Sequence, residues 1–111
     1  MRGRGYTARM EGMVTREDVF EALRMVEDPE LGMDIVELGL IYEVDIQGRT
    51  VTVRHTLTSM GCPAGAMIQD EIHSCAASLP GVENVDVELT FDPAWTPDRM
   101  SEDAKFILGF G

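Results

Sequence analysis

Residues 41–57, IYEVDIQGRTVTVRHTL, decide the fold because they predict a β-hairpin. Apolar and polar residues alternate on both sides of Gly48-Arg49, and a glycine in first place suits a two-residue type II′ turn. That turn pairs Ile46 with Val51 and puts the apolar residues of both strands on one face. These residues are Tyr42, Val44, Ile46, Val51, Val53 and Leu57. His55 falls on the same face, opposite Tyr42.

A first helix is predicted before the hairpin. Thr15 is a good N-cap, Asp18 completes a capping box, and apolar residues then recur with helical spacing. Pro29 is predicted to end the helix, because the residue before a proline avoids the helical region. Residues 27–40, EDPELGMDIVELGL, hold five acids and no clean period. They predict an ordered loop.

A second helix and a third strand are predicted after the hairpin. Pro63 suits the first turn of the helix, and the apolar stripe that follows stops at Pro80-Gly81. The stripe comprises Ile68, Ile72, Cys75 and Leu79. A strand then alternates, with Val85, Val87, Leu89 and Phe91 facing inward. The tail predicts a last helix from Pro97.

The predicted order is α-β-β-α-β-α in a single α+β domain. The crossover through the second helix makes the third strand parallel to a hairpin strand, which gives a three-stranded mixed sheet. Because the outward strand residues are mostly Thr, Asp, Glu and Arg, we expect one solvated face and helices on the other. We expect a flexible extension over residues 1–13 and the domain over 14–111.

The charge of the chain restricts its partners. The net charge is −11, and Arg2, Arg4 and Arg9 supply three of the nine basic residues. The remainder is strongly acidic and repels the phosphates of nucleic acids and anionic membranes. The negative charge does not exclude partners with basic patches or metal cations. Because no apolar run is long enough for a membrane span or a signal peptide, we expect a cytoplasmic protein.

The two cysteines are predicted to have different roles. Cys62 is predicted to be the N-cap of the second helix, where the helix dipole and free N–H groups favour a thiolate. Cysteine is an unusual N-cap, which favours a functional thiol over a capping residue. Cys75 lies on the apolar stripe and is predicted to be a core thiol. The two are roughly 20 Å apart along one helix, so a disulfide between them is excluded.

The hairpin register also predicts a site. If the same pairing is extended towards the N-terminus of the first strand, Gly39 lies opposite Thr58. The acidic loop then ends next to the loop that holds Cys62. Four carboxylates then become candidates to lie near the thiol: Asp28, Glu30, Asp34 and Glu37. No Cys/His cluster has zinc spacing, and the sequence has no phosphate loop or nucleophile elbow.

Three other side chains leave alternatives open. His55 is either a base for Cys62 or, on the core face, a core histidine. His73 is predicted to lie on the surface. Trp95 is either an exposed anchor for a partner or a residue that caps the edge of the core.

Three motifs in this order resemble the MIP18 family, once called DUF59, over about residues 14–108. They are DPELGMDIVELGLIYEV (28–44), T-x-T-x-x-x-C-P (56–63) and DPAWTPDRMSEDA (92–104). The short stand-alone members of the SufT type are the most similar. The resemblance implies a role in iron–sulfur cluster assembly. It implies functional weight on the positions of Asp28, Glu30, Asp34, Thr58 and Cys62. Cys62 is the expected functional thiol and possible transient cluster ligand, and we place Pro63 with the other four residues in the supporting loop.

A stable cluster needs four thiolates or equivalent ligands, and one chain offers one good thiol. We therefore expect no tightly bound cofactor.

Two versions of the function stay open. Cys62 lends a transient ligand to a cluster, or the protein is an adaptor between apo-protein clients and the assembly machinery. The alternatives are a plain interaction module without metal, in which Trp95 or the outer sheet face matters, and a cysteine-dependent enzyme. We expect a protein that is not an enzyme, and a homodimer is permitted but not required.

Overall fold

The computed structural model describes residues 14–110, so the predicted extension over residues 1–13 lies outside the described residues. The predicted α+β fold with a three-stranded mixed sheet is confirmed. A two-stranded sheet and a short 3₁₀ turn are additions. The elements in chain order are α1 Arg16–Leu23, β1 Glu27–Asp28, β2 Met33–Asp34, β3 Ile41–Gln47, β4 Thr50–His55, α2 Gly65–Ala77, β5 Asn84–Leu89, the 3₁₀ turn Pro97–Arg99 and α3 Glu102–Leu108.

The central sheet has the strand order β3-β4-β5. Strands β3 and β4 are antiparallel, and Ile46 pairs with Val51 as predicted. Strand β5 runs parallel to β4, which confirms the expected crossover through α2. Gly48 has φ +61°, which a residue with a Cβ adopts only at a cost. The glycine at the turn and the alternation of apolar and polar residues therefore specify the same pairing of β3 with β4.

The predicted register fails at the start of β3. A bulge between Ile41 and Glu43 places Ile41, not Tyr42, opposite His55. The Thr56 N–H donates to the Leu40 carbonyl at 2.8 Å, so Leu40 lies beside Thr56 and not beside Leu57. The predicted pairing of Gly39 with Thr58 fails for the same reason, because a bulge adds one residue to one strand only.

The bulge also changes the surroundings of Tyr42, which was predicted to face the core. Its hydroxyl donates to the Pro93 carbonyl at 2.9 Å. The Arg99 guanidinium lies 4.6 Å from the centroid of its ring, a cation–π contact. Tyr42 therefore joins the sheet to the C-terminal tail.

Helix α1 begins as predicted but ends early. Thr15 and Asp18 form the capping box. The helix ends at Leu23, so the predicted end at Pro29 is wrong. The Ile35 N–H donates to the Val26 carbonyl at 2.9 Å, and this pairing takes the chain out of the helix. The stretch predicted to be a loop holds the short hairpin of β1 and β2 as a result.

The core lies between the inner face of the sheet and the helices. Ile68 and Ile72 of α2 are fully buried, as the apolar stripe predicted, whereas Cys75 is half-buried. The predicted last helix is divided, because Met100 is extended and Ser101 caps α3. The core side chains are Val19, Leu23, Val26, Ile35, Leu38, Leu40, Val44, Val51, Val53, Leu57, Ile68, Ile72, Met100 and Ala104.

The outer face of the sheet is polar, as predicted. Arg54 of β4 contacts Glu43 of β3 at 2.9 Å and Glu88 of β5 at 3.2 Å. The three side chains are about half exposed, so this ladder contributes little to stability. Leu89, predicted to face inward, is 41 % exposed because β5 is an edge strand. Within residues 14–110, no helix is long and apolar enough to cross a bilayer.

Candidate functional site

Cys62 lies in the loop between β4 and α2. Helix α2 begins at Gly65 with Ala64 as its N-cap, so Cys62 is not the N-cap and Pro63 is not in the first turn. The Gly65 N–H donates to the Cys62 carbonyl at 3.2 Å, which makes Pro63 and Ala64 the central residues of a turn. Proline favours the first central position of such turns because its φ is preset. Both predicted positions are therefore wrong by two residues.

The Cys62 thiol lies at the rim of the core. Its side chain is half-buried and packs against the core cluster, while Gly61 and Pro63 on either side are exposed. The Cys62 N–H donates to the Ser59 carbonyl at 3.3 Å, so turns hold the backbone on both sides of the thiol. Met60 in the same loop is 81 % exposed. The loop therefore presents a thiol at a fixed place near the surface.

Cys75 packs against the core but is less buried than a core thiol was predicted to be. It is free and half-buried on the core side of α2. Burial, with a smaller contribution from the Glu71 carboxylate, raises the pKa of Cys75 above its usual value. Because the thiolate is the nucleophile and the metal ligand, a raised pKa makes Cys75 a poor candidate for either role.

Asp28 differs from the other carboxylates of the acidic loop because it is fully buried. Its Oδ1 accepts a hydrogen bond from the Glu30 N–H at 2.8 Å. Its Oδ2 has no partner among residues 14–110. Buried polar atoms are normally hydrogen-bonded, so this unpaired oxygen departs from the usual pattern. The Glu30 side chain itself is exposed.

Asp34 and Glu37 stabilise the loop itself. Asp34 Oδ1 accepts from the N–H groups of Val36 and Glu37, at 3.0 and 2.9 Å. The Glu37 carboxylate accepts from Arg24 Nη1 at 2.7 Å and from the Ser101 hydroxyl. These two hydrogen bonds hold the pKa of Glu37 below its usual value. Both carboxylates therefore hold the loop in shape.

His55 is a buried histidine with one unpaired nitrogen. It is fully buried, and its Nδ1 lies 3.2 Å from the Thr56 carbonyl oxygen. A carbonyl only accepts, so Nδ1 carries the proton and Nε2 has a free lone pair. Nε2 has no partner within the described part of the chain. Burial lowers the pKa of His55, which favours the neutral ring and agrees with the core-histidine alternative.

The remaining predicted positions are less buried. Thr58 is half-buried, and His73 is exposed as predicted. The Trp95 indole N–H donates to the Leu38 carbonyl at 2.7 Å, and its ring packs against the core. That geometry agrees with Trp95 as a cap on the core edge, and a partner contact through Trp95 stays a prediction.

The described residues hold no group of three or more His, Cys, Asp and Glu side chains placed to bind a metal ion. Any metal that Cys62 binds would therefore need further ligands from outside the described residues. Sequence reasoning missed the Ser101 contact to Glu37, although a Ser before Glu-Asp is a recognisable N-cap signal. No sequence signal marks the unpaired atoms of Asp28 and His55, since pairing depends on the packed structure.

Comparison with known proteins adds independent findings. The family model described as iron–sulfur cluster assembly protein matches residues 16–89. The chain is 47 % identical to the Fe-S protein maturation auxiliary factor YitW of Bacillus subtilis, over 85 % of this chain and 93 % of that protein. It is 49 % identical to the Fe-S protein maturation auxiliary factor SufT of Staphylococcus aureus, over 77 % and 98 %.

Two solved structures have the same fold. A conserved hypothetical protein from Thermotoga maritima superposes with a TM-score of 0.80 at 46 % identity, over 90 % of this chain and 99 % of that one. The DUF59 domain from Bacillus anthracis gives a TM-score of 0.80 at 35 % identity, over 86 % and 92 %. The similarity therefore covers nearly the whole described chain.

Proposed function

The chain belongs to the iron–sulfur cluster assembly protein family, and we propose that it assists the transfer of iron–sulfur clusters to apo-protein clients. Relatives named maturation auxiliary factors support this proposal. Such a factor contacts both the assembly machinery and the clients. The name given to those relatives also supports the prediction that the protein is not an enzyme.

One observation carries the proposal: Cys62 is a single thiol held in a turn at the rim of the core. An iron–sulfur cluster takes four protein ligands, so one thiolate leaves the other positions for the client or for small thiols. The cluster is then cargo. An incomplete ligand set favours release, because residues 14–110 hold no group of three or more ligands that would retain the cluster.

The transfer step proposed for Cys62 is a ligand exchange. The Cys62 thiol loses its proton to solvent, and its thiolate displaces a small-thiol ligand from one iron of the cluster; the released thiolate takes up a proton from solvent. A client thiolate, formed by loss of a proton to solvent, then displaces Cys62 from that iron, and the Cys62 thiolate is protonated again. Neither metal nor sulfur changes oxidation state, so the exchange needs no oxidant. Asp34 and Glu37 contribute by holding the acidic loop in shape.

An adaptor without direct ligation is the second candidate. The absence of a three-ligand group among residues 14–110 favours it. In that case the protein brings a client and the assembly machinery together, and Cys62 contributes only to the shape of its loop.

Anaerobic reconstitution with iron and sulfide distinguishes the two candidates. Wild type, Cys62→Ser and the matched control Cys75→Ser are compared by visible absorption and by mass in solution. A chromophore that is lost in Cys62→Ser and kept in Cys75→Ser supports ligation by Cys62, and a doubled mass means that two chains share a cluster. No chromophore in any variant favours the adaptor, and an equal chromophore in Cys62→Ser refutes the ligand role.

A further inference from the structure

Phe106 and Ile107 of helix α3 and Phe110 just after its end are exposed apolar residues, here called the α3 patch. The exposed fractions of these residues are 82, 67 and 54 %. The opposite side of the same helix packs against the core through Ala104 and Leu108. The exposed side chains therefore do not form the core-facing side of the helix.

Both ends of α3 are capped, so the patch is preformed. Ser101 accepts a hydrogen bond from the Ala104 N–H at 3.0 Å. At the other end Gly109 is left-handed, with φ +85°, and the Phe110 N–H donates to the Lys105 carbonyl at 2.7 Å. With the bond from the Gly109 N–H to the Phe106 carbonyl, this is a Schellman motif. A partner therefore meets a surface that loses little conformational freedom on binding.

The patch has an acidic side. Glu102 and Asp103 are exposed and lie four residues before Phe106 and Ile107, on the same face of the helix. Lys105 approaches Glu102 at 3.6 Å and neutralises only part of this charge. The complementary surface is an apolar groove with Lys or Arg at the end that receives the first turn of α3.

The size and charge of the patch argue against a second copy of this chain. The three side chains offer roughly 400 Å² of apolar surface. A stable interface buries about 800 Å² on each partner. A chain with a net charge of −11 also repels its own copy. A different protein, bound transiently, fits the patch better.

We propose that the α3 patch docks the apo-client during cluster transfer, by inserting into an apolar groove with basic residues at one end. The inference rests on the proposed function. The Ser101 N–H donates to the Glu37 carbonyl at 2.8 Å, so the start of α3 is tied to the acidic loop. Docking on α3 therefore holds the client in a fixed relation to that loop without using Cys62.

The test uses apo-aconitase as the client and measures its binding by titration calorimetry. The variant Phe106→Ser with Ile107→Ser is expected to weaken binding at least about tenfold, because truncation of central apolar residues dominates interface energetics. Met25→Ser, which removes another apolar residue that is 79 % exposed, is the matched control and leaves binding unchanged. Glu102→Gln with Asp103→Asn weakens binding at low salt and has little effect at high salt.

A photoreactive phenylalanine analogue at position 106 identifies the occupant. A crosslink to apo-aconitase supports the inference, whereas a crosslink to a second copy or to residues 1–13 overturns it. The inference is also overturned if wild type and the double serine variant bind apo-aconitase with equal affinity. It is overturned as well if wild type does not bind apo-aconitase. If the protein binds apo-aconitase through the α3 patch but does not activate it, the docking inference stands and the proposed role in maturation is refuted.

Discussion

Glu37 accepts a hydrogen bond from Arg24 Nη1 at 2.7 Å, which joins the acidic loop to the end of α1. The same carboxylate accepts from the Ser101 hydroxyl at the start of α3. One side chain therefore connects the loop, the first helix and the last helix. The family resemblance had given this loop functional weight, and the structure shows how it is held in place.

Replacement of Glu37 tests this connection. Glu37→Gln is expected to lower the free energy of unfolding by about 1 kcal/mol near neutral pH, since the side chain is only partly buried and solvent screens its charge. Arg24 and Ser101 keep the pKa of Glu37 lower in the folded state than in the unfolded state. Its contribution is therefore present above the unfolded pKa and is lost as the pH falls through the folded one.

Urea denaturation of wild type and Glu37→Gln at several pH values measures this effect. The difference between the two proteins should shrink on acidification into the range where Glu37 is protonated. Glu30→Gln is the matched control, because the Glu30 side chain is exposed. A difference that is constant from neutral to acidic pH would contradict the assigned role of the Glu37 charge.

Gly39 and Gly32 form a matched pair for a packing test. Both have positive φ, +76° and +69°. A Cβ at Gly39 would lie 2.1 Å from the Arg99 carbonyl oxygen, whereas a Cβ at Gly32 meets nothing within 4 Å. Gly32→Ala should cost about 1 kcal/mol from backbone strain alone. Gly39→Ala should cost roughly 3 kcal/mol or more, because the tail must also move.

Thermal and urea unfolding of the two alanine variants measures these costs. Equal destabilisation at the two positions would refute the close approach of the tail to Gly39. A large loss at Gly39 with a small one at Gly32 supports it.

The buried His55 side chain is expected to make the free energy of unfolding depend on pH. Burial lowers the pKa of His55 in the folded state, while the unfolded value is about 6.5. The unfolded state therefore binds a proton first as the pH falls below about 6.5. Stability is fully present above that pH and decreases below it, by up to about 1.4 kcal/mol per pH unit until the folded pKa is reached.

Comparison of His55→Gln with His73→Gln isolates this contribution. Urea unfolding between pH 7.5 and 5 should show a shallower slope for His55→Gln than for wild type. The exposed His73 serves as the control, and its replacement should leave the slope nearly unchanged. A His55→Gln protein with the wild-type slope would argue against a buried neutral ring.

The two thiols should differ in reactivity. Burial raises the pKa of Cys75, which lowers its thiolate fraction. Cys62 lies in a loop between exposed neighbours, so we expect alkylation by iodoacetamide to label Cys62 first. Peptide mass spectrometry of samples quenched at intervals measures both rates. Faster labelling of Cys75 would remove the basis for assigning the functional thiol to Cys62.

Sequence patterns predicted the centre of the hairpin well, because turn chemistry and alternation agree from Val44 to Val53. They failed at Ile41, since nothing in the local sequence marks the bulge that moves Tyr42 towards Pro93 and Arg99. Pro63 was predicted to lie in the first turn of the second helix but lies two residues before it, because a proline suits a turn and a first helical turn equally well.

The candidate site was predictable only in part. The resemblance selected Asp28 and Cys62 by position. The burial of Asp28 and its unpaired Oδ2 follow from the β1-β2 hairpin, which is too short to leave a periodic signal in the sequence. The contact between Glu37 and Ser101 spans 64 residues and depends on the path of the tail.

The Cys62 thiol is proposed to take part directly in cluster transfer. The most direct measurement is the rate at which apo-aconitase regains activity anaerobically from iron and sulfide in the presence of wild type, Cys62→Ser or Cys75→Ser. We expect stimulation by wild type and Cys75→Ser, and a loss of at least about tenfold with folded Cys62→Ser. Undiminished stimulation by Cys62→Ser would contradict it.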